Sequence, residues 1–154
     1  MIPRALASRM PALYSSFSLP KDLELSKFKC LWIPEDKQPY KVGKLQILHG
    51  HQLPGKSLPK HHAAKVADLY GAPGTVTVIG HSHRPQTYVR AQLGGNARAY
   101  ALGCGRTLDP QWMHGALGGW EHELAIAYVK PNGTAYVYPV PFTDGNLIWN
   151  GKLY

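Results

Sequence analysis

The segment Lys44–Pro85, KLQILHGHQLPGKSLPKHHAAKVADLYGAPGTVTVIGHSHRP, holds two short runs of β-forming residues, each stopped by a pair of histidines. Leu45–Leu48, within a run beginning at Lys44, is apolar enough for a buried strand and stops at His49. Between the runs, Ser57 has the residue type of an N-cap and Pro59 falls in the first turn. Ala63, Val66, Ala67 and Tyr70 keep helical spacing, and Gly71 ends the helix. Thr75–Ile79 returns as a second strand, and Gly80 precedes His81. The segment therefore predicts a β-α-β unit whose histidines follow the carboxyl ends of its strands, where open α/β sheets place their ligands.

Around this unit the pattern is mostly β. Lys29–Ile33 and Tyr40–Val42 read as short strands, with a turn at Glu35-Asp36-Lys37-Gln38-Pro39 and another turn or a bulge at Gly43. Ala99–Cys104 reads as a strand, and CGRTLDPQWMHGALGGW as a long glycine-rich loop. ELAIAYVKPNGTAYVYPVPF is a hairpin with Pro131-Asn132-Gly133 at its turn. In the tail, Asp144-Gly145 and Asn150-Gly151 flank a short strand. A short helix is expected around Pro3–Met10, and no repeat or internal boundary divides residues 1–154, which read as a single domain.

Charged residues are sparse enough for a globular protein, and 16 Gly with 13 Pro indicate many turns. No apolar run approaches the roughly 18–20 residues of a membrane span. Lys and Arg exceed Asp and Glu by 17 to 9, a net charge of +8. That surplus favours an anionic partner such as nucleic acid or a phosphate ester. It is equally the charge of a basic piece whose acidic complement lies elsewhere. Cys30 and Cys104 form no C-x-x-C pair, and there is no secretory leader pattern, which together fit a reducing cytoplasm.

The eight histidines differ in meaning. Adjacent His61 and His62 face about 100° apart on a helix, so a solvent-exposed reading is preferred for both. His114 and His122 are read the same way unless the glycine-rich loop folds over a site. HGH at His49–His51 and HSH at His81–His83 are another matter. On extended chain, i and i+2 point the same way, as paired ligands do, and neutral imidazole is a common ligand for zinc, manganese or iron.

ILHGH followed some thirty residues later by VIGHSHRP resembles the last two motifs of the calcineurin-like metallophosphoesterase superfamily. YALGCGRTLDPQWM and the closing hairpin also look like the C-terminal part of bacteriophage and bacterial members, so the resemblance covers most of the chain. It implies an α/β fold: the C-terminal half of a phosphoesterase β-sandwich flanked by helices, with the β-α-β unit and a C-terminal β-hairpin. It also implies a two-metal centre for phosphodiester or phosphomonoester hydrolysis. His49 and His81 would bind one divalent metal and His83 the other, with Mn, Zn, Fe and Ni not distinguished. His51 would stand beside them, orienting substrate or a ligand as the catalytic histidine. A phage-encoded member would work in the host cytoplasm.

The superfamily's earlier motifs, D-x-H, G-D-x-x-D and G-N-H-[DE], supply a metal-bridging aspartate, an asparagine ligand and a leaving-group histidine. None of them occurs here. The expectation is a C-terminal portion that is inactive or weak without its complement. Two cations about 3.5–4 Å apart repel strongly, and neutral imidazoles do not balance their charge as a bridging carboxylate does. Weak or no metal occupancy is therefore expected of this form, and a complementing N-terminal chain or a homodimer is the expected partner. Two alternatives stand beside this reading. One is a catalytically dead remnant that binds nucleic acid or protein, such as a phage accessory or inhibitor protein. The other is a mononuclear hydrolase adding Asp109, Glu121 or Glu123 to the three histidines.

Overall fold

In the computed structural model, the two apolar runs of the β-α-β segment lie side by side in parallel. Residues 19–33, 38–53, 61–115 and 118–154 are described. The expected helix at Pro3–Met10, the cap at Ser57 and Pro59, and most of the turn at Glu35–Pro39 fall outside these residues. The chain groups into two units, Met1–Glu35 and Asp36–Tyr154.

In the second unit, strands β1 (Tyr40–Val42), β2 (Leu45–Leu48), β3 (Val76–Ile79), β4 (Gln86–Arg90) and β5 (Ala97–Ala101) form one sheet in the order β1-β2-β3-β5-β4. The core of this sheet is parallel, with Leu45 opposite Val76 and Leu48 opposite Ile79, while Val76 to Ile79 run opposite Arg98 to Ala101. The edge strands β1 and β4 are antiparallel to their neighbours. Helix α1 (His62–Tyr70) makes the crossover between β2 and β3. A second, antiparallel sheet follows, built from β6 (Glu123–Val129), β7 (Ala135–Thr143), β8 (Asn146–Trp149) and β9 (Lys152–Leu153). The architecture is α/β, as expected.

Alternation along the strands divides the core in two. Leu48, Ile79, Ala99 and Ala101 face α1 and meet Ala63, Val66 and Ala67. The alternate residues Leu45, Val76, Val78 and Tyr100 meet Ala135 and Val137 of the second sheet. A helix therefore covers one face of the parallel sheet and a hairpin packs on the other. Ala97, Ala99 and Ala101 are small, which lets the helix lie close. Gly71 belongs to the same contact, because a side chain there would run into the Ala67 carbonyl and the Ala97 methyl.

Three local readings change. Lys29–Ile33 is not a strand. Leu25–Phe28 forms a 3-10 turn, and Lys29 follows in the left-handed region with φ 54°. The Cys30 amide donates to the Leu25 carbonyl and the Lys29 amide to Ser26, so the backbone is committed to a Schellman-type closure. The strand expected at Ala99–Cys104 begins and ends earlier, at Ala97–Ala101. β4 had no counterpart in the sequence reading; its middle residues are exposed, so no buried period marks it. The turns at Gly43, Lys130–Thr134, Asp144-Gly145 and Asn150-Gly151 stand where expected. No helix among the described residues is long and apolar enough to cross a membrane.

Candidate functional site

The histidines gather where β2 and β3 end. The Gly80 amide donates to the His49 carbonyl, extending the β2–β3 ladder one step and holding the two histidine motifs together. Gly50 follows His49 with φ 108°, a conformation that disfavours side chains. Its Cα hydrogen faces the Cβ of His81, which a Gly50 Cβ would approach to 3.0 Å. The tight turn thus brings the HGH chain directly beside His81.

The His49 Nε2 and His81 Nδ1 atoms lie 3.0 Å apart, one nitrogen carrying the proton the other accepts. The His51 ring centroid is 5.4 Å from that of His49 and 6.4 Å from that of His81. His62 stacks near-parallel to His81 at 6.4 Å. His49, His51 and His62 thus each lie within ring-contact range of His81. His81 is held below its ordinary pKa of 6.5, first by burial and then by the neighbouring His49, His62, His51 and His83. Folding favours the neutral, metal-binding form of this ring.

His83 goes elsewhere. The residues after Gly80 form a turn rather than extended chain, and His83 has φ 56°, a strained conformation for a non-glycine residue. Neither HGH nor HSH is extended chain, so neither pair has the strand geometry that its i, i+2 spacing implied. The His83 ring packs edge-to-face on Trp120, centroids 4.6 Å apart. Its Nδ1 is buried with no hydrogen-bond partner among the described residues. Burial, then Arg106 and His49, lower its pKa as well.

His62 corrects the sequence reading: His61 is exposed, but His62 is buried at the start of α1. Its position four residues before Val66, on the apolar stripe, was the signal. Trp120 and Arg106 come from the glycine-rich loop, whose return over the site no local pattern announces. That loop is tied down by Arg84 Nε donating to the Gly118 carbonyl at 2.6 Å and by the Glu121 amide donating to the His83 carbonyl. His122 lies flat on Phe142 and pairs its Nε2 with the Arg106 carbonyl, and His114 stays exposed. Of the three acids considered as a further ligand, Glu123 accepts the Gly103 amide, while Asp109 and Glu121 are exposed.

The fit to a metal is partial. Two nitrogens about 2.0–2.1 Å from a tetrahedral zinc stand about 3.3 Å apart, close to the 3.0 Å between His49 and His81. These two would hold one cation, while the His83 ring packs on Trp120. Among the described residues, however, no three His, Cys, Asp or Glu side chains form a group able to hold a metal. The pair suits one cation that still lacks ligands, and a two-metal centre does not fit these residues alone. The chain matches no protein-family model, and no characterised protein or solved structure matches it significantly.

Proposed function

We propose that this chain supplies the histidine part of a divalent-metal-dependent phosphoesterase centre, with the carboxylates coming from another segment or chain. One observation carries the reading: His49 Nε2 and His81 Nδ1 converge to 3.0 Å at the carboxyl ends of adjacent parallel strands. His49 and His81 would hold the cation, His83 would serve as a further ligand, and His51, its ring 5.4 Å from that of His49, would orient a phosphate ester. A bound cation supplies Lewis acidity toward a phosphoryl oxygen and lowers the pKa of a water. The histidines of this chain contribute neutral ligands without charge balance, so hydrolysis by the chain alone is weak.

The test is calorimetric titration of chelator-stripped protein with Zn²⁺ or Mn²⁺, comparing wild type with the His49→Ala/His81→Ala variant. One metal per chain is expected, with affinity at least about tenfold lower in the variant, the scale on which metal-site groups act. Equal affinity in both proteins, or no binding at all, sinks the proposal. Hydrolysis of bis(p-nitrophenyl) phosphate should then rise when a polypeptide carrying the carboxylate motifs is added.

A second reading, a binding module without catalysis, is favoured by the lack of a three-ligand group among the described residues. Its mark is a biological effect that survives the same double substitution.

A further inference from the structure

Beside the histidines lies a second constellation that metal binding does not use. Trp112 and Trp120 approach with ring centroids 5.7 Å apart. The Arg106 guanidinium carbon is 5.6 Å from the centre of the first ring and 5.5 Å from the second. Trp112 is 61% exposed, although a ring of that size is a large apolar surface to leave in water. Trp120 bridges the two constellations through its contact with His83.

The platform is also held in place. Arg84 anchors Gly118, the Glu121 amide is bonded to His83, and the Cys104 amide donates to the Glu121 carbonyl. His122 fixes the Arg106 carbonyl from the other side. Two indoles and a guanidinium on a pinned loop, next to a cluster of imidazoles, match one kind of ligand: a planar aromatic ring joined to a phosphate. Exposed aromatics stack on nucleobases regardless of sequence, and arginine adds both a cation–π contact and a phosphate contact. The net charge of +8 suits the same ligand.

We propose that Trp112, Trp120 and Arg106 form a base-stacking subsite that receives the nucleobase of a nucleotide unit whose phosphate faces the histidine cluster. The position of the phosphate rests on the metal-centre reading; stacking of the base does not. The unit belongs either to a free nucleotide or to single-stranded nucleic acid.

The experiment measures binding of AMP, ribose 5-phosphate and a dodecathymidylate to the full chain, for wild type, Trp112→Ala and Trp112→Phe. AMP is expected to bind more tightly than ribose 5-phosphate. Trp112→Ala should weaken AMP binding by about tenfold, the scale of losing one stacked base. Trp112→Phe should restore most of it, and ribose 5-phosphate should not respond to either change. Tighter binding of the oligomer than of AMP identifies single-stranded nucleic acid as the source; equal binding identifies the mononucleotide. Equal binding of AMP and ribose 5-phosphate overturns the subsite, and so does wild-type AMP affinity in Trp112→Ala. The two readings fail separately: base-dependent binding without metal binding removes the metal centre and leaves the platform, and the reverse result does the opposite.

Discussion

Gly50 is where backbone conformation and site geometry are least separable. Its φ of 108° and the 3.0 Å approach of a would-be Cβ to His81 mean that Gly50→Ala strains the turn and pushes the histidines apart. The expected cost is about 1–2 kcal/mol from the backbone alone, read as a lower melting temperature together with weaker metal binding. The histidines themselves predict a pH dependence. Unfolded, His81 and His83 take up protons near 6.5; folded, both do so only at lower pH. The unfolded state therefore binds more protons in that window. The stabilisation is complete above pH 6.5 and is lost as pH falls toward the lowered folded values. Glu123, raised chiefly by burial, acts in the opposite sense nearer its ordinary 4.5. Melting temperatures of chelator-treated protein should drop from pH 7.5 to 5.5, and the drop should shrink in His81→Asn. An unchanged drop in that variant rejects the assignment.

β3 is the central strand of its sheet, paired with β2 on one side and β5 on the other. All four of its residues are buried, between α1 on one face and the second sheet on the other. Thr77 shares the helix-facing side with Ile79 and is fully buried, and its hydroxyl has no hydrogen-bond partner among the described residues. Thr77→Val keeps the shape and removes that unsatisfied group, so denaturant melts should show about 1 kcal/mol of added stability. A loss of stability instead means the hydroxyl is bonded. Elements like β3 and α1 were legible in the sequence because burial imposes a period that survives in the residue types. β4 was not, because an exposed edge strand such as QTYVR owes its conformation to pairing with β5 rather than to a pattern of its own. CLWI misled for the opposite reason: it is apolar, but the hydrogen bonds at Lys29 and Cys30 turn the chain before a strand can form.

At the scale of the molecule, the described residues of both core clusters lie between Leu45 and Val137. Residues 36–154 expressed alone should therefore fold, with a cooperative circular-dichroism melt and metal affinity equal to that of the whole chain. A non-cooperative melt sinks this expectation. The β-α-β scaffold and the His49–His81 pair could be read from the sequence because strand-end position is a local property. The company of His83, by contrast, is set by a loop arriving from residues 106–120, and contacts at that separation leave no mark on spacing. The register of β2 on β3 has one more consequence. Leu48 stands opposite Ile79, and the two nitrogens meet just beyond that rung. The connecting chain can gain or lose residues without disturbing that alignment. A single residue inserted within either strand would shift one histidine by about 3.3 Å and turn the strand residues beyond it to the opposite face. Length variation during the protein's history is thus permitted in the crossover and forbidden in the rungs.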